Sequence, residues 1–243
     1  MDAQQPRVGT AGWSIRSEHR EAFAPEGSHL ERYARRFNAV EINSSFYRPH
    51  RQATYERWAD SVDADFRFSV KLPKAISHSA LACPDVNGIE RFAHEASGLG
   101  KKLGVVLIQF PPSLAFDVGL AADIFGTISD RISCPLACEP RHRSWFENHA
   151  DAMLASLGIA RVAADPAISP AAATPGGWQG LRYHRLHGSP DIYRSEYGTA
   201  AIEEIRSMLA LEAASGAQTW CILDNTTLGF ATSDALKLRE YFR

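Results

Sequence analysis

The chain has 243 residues, 45% of them hydrophobic, which is enough to bury a sizeable core in one large domain or two small ones. A formal charge of −2 with no long run of like charges gives no general attraction to phosphate backbones or anionic membranes, so non-specific nucleic-acid binding is disfavoured. Met1 to Arg7 lack the basic and apolar blocks of a secretory signal, and no apolar stretch approaches membrane-spanning length. The expectation is therefore a cytoplasmic protein with no membrane partner.

Val8 to Trp13 opens the chain as a short strand whose glycines admit a close backbone or ligand. Ser28 to Phe37 has helical spacing at Leu30, Tyr33, Ala34 and Phe37, with Ser28 as its N-cap. The second strand, Ala39 to Asn43, puts Val40 and Ile42 on one face and Glu41 and Asn43 on the other. A helix over Ala53 to Ser61 leads to the third strand, Phe66 to Lys71, which again has one apolar face and one bearing Arg67, Ser69 and Lys71. A long loop carrying His78 is expected between Pro73 and Gly88, followed by a helix to Leu99.

Leu103 to Gln109 is the clearest buried strand, and Pro111-Pro112 prevents its continuation. A helix from Asp117 to Ile128 precedes a fifth strand, Cys134 to Glu139, and another from Ala150 to Leu157 precedes a sixth, Ile159 to Ala164, ending at Asp165. The prolines and glycines of Pro166 to Gly180 predict a loop in place of a regular helix. Leu181 to Gly188 is the seventh strand, Ala200 to Ala214 a helix, Thr219 to Asn225 the eighth strand, and Ala231 to Tyr241 the closing helix. Strands alternating with helices at about 30 residues per unit predict an α/β fold, a (β/α)₈ TIM-type barrel in a single domain over 1–243 with an irregular sixth helix region. A doubly wound open sheet is the alternative; no Gly-rich phosphate loop follows the first strand to support its nucleotide-binding version. The cysteines Cys83, Cys134, Cys138 and Cys221 form no Cys-x-x-Cys pair, and Cys134 and Cys138 on one strand would stand roughly 13 Å apart, so all four are read as reduced thiols.

The strand ends carry the chemistry. Barrels of this kind build their sites at the carboxyl ends of the strands. Here those ends are Trp13, Glu41, Asn43, Lys71, Gln109, Glu139, Arg141, His142, Asp165, Arg185, His187, Asp224 and Asn225. Each has an innocent reading: Glu41 and Lys71 can be a buried ion pair, Asp165 a turn cap, and Glu139 to Trp145 a charged loop with one anchoring indole. All of them together are harder to explain that way. Parity on the seventh strand sets Tyr183, Arg185 and His187 inward and leaves His184 as a packing histidine. On the eighth strand Asn225 falls with Cys221 and Leu223 and is assigned to the site, while the parity does not decide whether Asp224 faces it.

Several blocks together resemble a family. Gly12-Trp13, Val40 to Tyr47, Phe68 to Lys71, Gln109 to Pro112, Glu139 to Trp145, Arg185 to Gly188 and Asp224-Asn225 are similar to the signature blocks of the YecE-like proteins, the domain of unknown function 72. The resemblance covers nearly the whole chain in order. It implies a (β/α)₈ barrel and no established reaction. The chain departs from the pattern at Asp224, where Asn is expected, at Pro140, where an aromatic is common, and at His184, where an apolar residue is common.

The leading expectation is an enzyme for a small phosphorylated or carboxylated molecule. Glu139 is the first candidate base, with Glu41, His142 and His187 as further acid–base groups. Arg141 and Arg185 form the anion clamp, helped by Lys71, Asn43, Gln109 and Asn225, and Trp13 and Tyr47 form a stacking wall. No cofactor is required. A divalent metal is the alternative, making a phosphodiester hydrolase with Glu41, Gln109, Glu139, His187 and Asp224 as ligands, although Lys71, Arg141 and Arg185 would repel it. A third reading is a binding module in which Ser44 to Arg48 stacks a nucleobase and touches a phosphate.

Overall fold

The computed structural model describes residues 5–78 and 84–242. Cys83 and the chain's first four residues lie outside the described residues. The elements in order are β1 (Arg7–Thr10), α1 (His29–Ala34), β2 (Ala39–Ile42), α2 (Gln52–Asp60), β3 (Arg67–Lys71), α3 (Lys74–Ser77), α4 (Val86–Ala96), β4 (Leu103–Gln109) and α5 (Val118–Ser129). They continue with β5 (Leu136–Glu139), α6 (Asn148–Ser156), β6 (Ile159–Arg161), β7 (Ala163–Asp165), β8 (Gly176–Gly177), β9 (Leu181–Leu186), α7 (Thr199–Ala214), β10 (Gln218–Leu223) and α8 (Phe230–Glu240).

Local chemistry sets many of these boundaries. Ser28 and Glu31 close a full capping box on α1, the Ser28 hydroxyl accepting from the Glu31 amide at 3.3 Å and the Glu31 carboxylate from the Ser28 amide at 2.6 Å. Asp85 and Asp117 cap α4 and α5 by accepting from the Gly88 and Leu120 amides. Two expectations are corrected. The segment expected to hold a long loop opens with one helical turn, Lys74–Ser77, that ends at His78, and its residues 79–83 lie outside the described residues. The predicted sixth strand is interrupted at Val162. As expected for Pro166 to Gly180, no α-helix lies between β7 and β9, and the segment holds a 3₁₀ turn over Pro170–Ala173 and the two-residue β8.

The strands form a mixed α/β fold of two sheets, in the orders β1-β10-β9-β7 and β2-β3-β4-β5-β6-β8. Every pairing is parallel except β6 with β8. A bridge between Ala11 and Glu41 links the start of one sheet to the start of the other, and the continuous segment β6-Val162-β7 pairs first with β5 and then with β9.

Alternation along the strands divides the interior in two. Val40, Ile42, Phe68, Val70, Val106, Ile108, Cys138 and Leu223 pack with the helices in the larger core. The opposite strand faces contribute Ala39, Val105, Leu107, Ala137, Ala160, Val162, Tyr183, Trp220 and Ile222 to a second core enclosed between the two sheets. Tyr183 stacks on Trp220 there at 5.9 Å. The residues that follow this inner core toward the carboxyl ends are Glu41, Lys71, Gln109, Glu139, Arg185 and Asp224, so the polar set sits directly on an apolar floor. Among the described residues no helix is long and apolar enough to cross a membrane.

Candidate functional site

Arg185, with no solvent exposure, is the centre of the polar layer. Its Nε donates to Glu41 Oε2 at 3.0 Å and its Nη2 to Glu41 Oε1 at 2.7 Å, a bidentate pair between β9 and β2. Nη1 donates to Glu139 Oε2 at 2.8 Å, and Nη2 also reaches Asp224 Oδ2 at 2.9 Å. Four strands thus deliver one guanidinium and three carboxylates to the same point. Burial alone would lower Arg185, but Glu139, Glu41 and Asp224 outweigh it and hold the guanidinium well above its ordinary value. Burial likewise works against ionised Glu139, yet Arg185 and Arg141, with a hydrogen bond from His187, bring its carboxyl well below the usual range.

His187 is the second hub. Its Nδ1 lies 3.1 Å from Asp224 Oδ2 and its Nε2 3.0 Å from Glu139 Oε1, so each ring nitrogen faces a carboxylate. Arg141, which follows β5, places Nη2 2.6 Å from the same Glu139 oxygen and 3.0 Å from His187 Nε2. Asp224 is 5% exposed, and its carboxyl is drawn below its ordinary value against burial by Arg185 and His187.

Lys71 differs from its neighbours. It is 5% exposed and its Nζ stands 4.2 Å over the Phe46 ring, but among the described residues that Nζ makes no hydrogen bond and no ion pair. Burial and the nearby Arg185 lower the amine to about 8, only partly opposed by Glu41, Glu139 and Asp224. The anticipated Glu41–Lys71 pair is therefore replaced by Glu41–Arg185, whose planar fork matches both carboxylate oxygens.

The remaining predicted residues divide. Asn43 and Gln109 are half-buried at the ends of β2 and β4, Gln109 in register with Glu139, and Asn43 Oδ1 is buried without a partner. Trp13 is half-buried and packs edge-on against Trp58 at 5.0 Å. Tyr47 is 76% exposed and rests on Phe46. Two are placed elsewhere. His142 Nδ1 meets the Ser144 hydroxyl at 2.8 Å and caps the 3₁₀ turn Arg143–Phe146, on which Trp145 is anchored by an indole hydrogen bond to the Leu114 carbonyl. Asn225 donates to the Ser195 carbonyl and to Asp234 on α8, away from the charges.

The parity assigned to β10 is thus reversed. Trp220, Ile222 and Asp224 face inward while Cys221, Leu223 and Asn225 face the helices, because Cys221 is small enough to sit under α7 and α8 while Trp220 fills the inner core. His184, read as a packing histidine, meets Glu212 of α7 at 2.7 Å. Asp165 accepts from the Tyr197 hydroxyl at 2.6 Å.

Two residues were missed by sequence reasoning. Tyr183 donates to Ser69 at 2.8 Å and approaches Glu41 at 3.1 Å, and its inward parity was the available signal. Tyr193 lies edge-on to His187 at 5.5 Å with a φ of 69°, from a loop that offers no periodicity to read.

Of the metal-ligand candidates, Glu41, Glu139 and Asp224 point at the Arg185 guanidinium, which occupies their common focus with a fixed positive charge, and His187 is bonded to Glu139 and Asp224. Among the described residues no group of three or more His, Cys, Asp or Glu is arranged to hold a metal ion. The described cysteines Cys134, Cys138 and Cys221 are free thiols. Beside the cluster, Phe46, Tyr47, Arg48, Lys74, His78 and Arg91 help line a separate cavity of about 560 Å³.

A family model described as a protein of unknown function, DUF72, matches residues 7–243. The protein YecE of Escherichia coli (strain K12) is 37% identical over 84 residues, a match that spans 34% of this chain and 30% of that protein. A crystal structure of a DUF72 family protein from Thermotoga maritima MSB8 superposes with a TM-score of 0.79 at 21% identity, covering 98% of each chain. That of a sugar phosphate isomerase/epimerase from Parabacteroides distasonis gives 0.55 at 13% identity, covering 99% of this chain and 95% of that one.

Proposed function

The chain belongs to the DUF72 family, and from that premise we propose that it is a (β/α)₈-barrel enzyme which binds a small anionic molecule at the carboxyl ends of its strands. The barrel reading is supported by the Ala11–Glu41 bridge and by the passage of β6 into β7, which together carry the parallel order from β1 through β5 to β9, β10 and back to β1. The inner core, filled by alternate residues of strands from both sheets, supports it as well. Likeness to a protein titled a sugar phosphate isomerase/epimerase agrees with the fold.

The observation that carries the functional reading is the contrast between Arg185, with four hydrogen bonds to carboxylates, and Lys71 beside it, whose amine makes none among the described residues. A cation kept buried without a partner is costly to the fold and available to a ligand. Arg185 is too fully committed to clamp an anion. That role passes to Lys71 and to Arg141, whose side chain is 20% exposed and whose Nε is unpartnered, with Asn43 and Gln109 offering amides and Trp13 and Tyr47 a wall.

Glu139, held as a carboxylate by two arginines, is too weak a base for neutral pH. Its task is to orient Arg141 and His187. His187, bonded to both Glu139 and Asp224, relays protons within the cluster, and Lys71 has the proton affinity suited to exchange with substrate. The binding-module reading is favoured by the aromatic and basic cavity around Phe46, Tyr47, Arg48, Lys74 and Arg91, whose lining suits a stacked ring bearing a phosphate.

A thermal-shift screen of phosphorylated and carboxylated metabolites tests the enzyme site. A specific ligand at about 100 times its Kd should stabilise by about 2.7 kcal/mol, raising Tm by roughly 5–10 °C. The shift should vanish in Lys71→Met and Arg141→Leu variants. Stabilisation that persists in both, or that requires Arg48 and Lys74 instead, overturns this assignment.

A further inference from the structure

We propose that Lys71 is a nucleophile that forms an imine with a carbonyl substrate bearing a carboxylate or phosphate group. The inference rests on the anion-binding reading above and adds to it the reacting atom and the substrate class.

Geometry supplies three reasons. Lys71 ends β3 on the inner face, where its stem is buried and only the amine end reaches the layer of polar groups. Among the described residues its Nζ is held by the Phe46 ring and makes no N–H···O bond that has to be broken before the nitrogen lone pair is used. The carboxylates that would otherwise pin a lysine as an ammonium ion, Glu41, Glu139 and Asp224, are drawn to Arg185 by four hydrogen bonds. The guanidinium therefore both satisfies the acids and repels a second cation.

The electrostatics agree with this arrangement. An amine near 8 is about one-tenth neutral at pH 7, against roughly one part in three thousand for an ordinary lysine. Desolvation beside another cation is a general route to an activated amine.

The step balances as follows. The neutral amine adds its lone pair to the carbonyl carbon, the π pair passes to oxygen, and one N–H proton moves to that oxygen to give a carbinolamine. Uptake of one proton from solvent then expels water and leaves the protonated imine, with no oxidant or reductant required. Arg141, Asn43 and Gln109 hold the anionic group of the same substrate. The exposed ring of Tyr193, edge-on to His187, borders the same charges.

The test begins with the wild-type protein and the smallest carbonyl. Brief treatment with deuterated formaldehyde and cyanoborohydride at pH 7, followed by peptide mass spectrometry, should methylate Lys71 at least about ten-fold faster than the surface lysines, with a rate rising toward a plateau with a midpoint near pH 8. A Lys71 rate equal to or below theirs overturns the proposal.

Borohydride trapping with pyruvate and with dihydroxyacetone phosphate then separates the two anionic groups, the expected adduct lying on Lys71 for one of them and missing from Lys71→Arg. Ligands that raise Tm through Lys71 and Arg141 while neither probe is trapped would overturn the imine and leave the binding site standing. Loss of both would remove the site as well.

Discussion

Two buried arginines of this molecule solve the same desolvation problem in different ways. Arg161, at the end of β6 and 5% exposed, bonds Asp151 of α6 at 2.8 Å through Nε and the Ala171 carbonyl at 2.8 Å through Nη1, with the Phe146 ring stacked at 4.9 Å. One half-solvated carboxylate and two neutral backbone oxygens, those of Ala171 and Thr174, suffice. Asp151 also accepts from the Gly177 amide, so the group fastens the helix-free segment between β7 and β9 to α6. Arg185 has three buried carboxylates around it, and Arg141 on Glu139 offsets part of the excess. The fold requires arrangements of the first kind. The second concentrates like charges well beyond what anchoring one side chain demands, and such surplus is a mark of a site.

The largest effect is expected from breaking the second arrangement. Arg185→Met leaves Glu41, Glu139 and Asp224 facing one another and should cost about 3–5 kcal/mol or more at pH 7 by urea unfolding. The sign with pH is fixed by Glu139 and Asp224, whose folded values are depressed. Their contribution is present above the unfolded carboxyl range near 4 and is lost as pH falls, so the gap between wild type and variant should narrow in acid.

A smaller loss, about 1–3 kcal/mol, is expected for Arg161→Met, with faster proteolysis in 166–180 and an unchanged ligand shift. An equal penalty for the two arginines would break the comparison. The smallest effect sharpens it. The Lys71 amine is lowered in the folded state to about 8, so the folded protein binds fewer protons than the unfolded chain between that value and 10.5. Stability should rise with pH through this window, and the full penalty should be present below pH 8. Lys71→Met should abolish the slope and gain about 1 kcal/mol at pH 7. A loss of stability would make Lys71 a structural cation.

Much of this was legible in the residues because period-two alternation and polar strand ends are local signals. Glu41, Lys71, Gln109, Glu139, Arg185 and His187 could be collected from sequence for that reason, and Ser28 as an N-cap announced α1. What could not be read was partnership. Whether Glu41 pairs with Lys71 on the next strand or with Arg185 depends on how the inner faces meet, which spacing does not encode. The same limit reversed the faces of β10, where the small Cys221 and the large Trp220 are equally apolar and only the space beneath α7 and α8 distinguishes them. The strand β8 had no signal, since two glycines carry no alternation.

The pairing of β1 with β10 has a consequence for synthesis. Arg7 to Thr10 pair in register with Trp220 to Leu223, so β1 leaves the ribosome long before the strand it pairs with is made. At ordinary elongation rates the interval is on the order of tens of seconds. Glu41 emerges early but meets its counter-ion only when Arg185 follows. Until then the nascent chain carries an unpaired strand edge and a carboxylate that cannot yet be buried, the kind of intermediate on which chaperones act. The charge centre at the strand ends is therefore also a checkpoint in assembly, passed only after Arg185 and Asp224 have been translated.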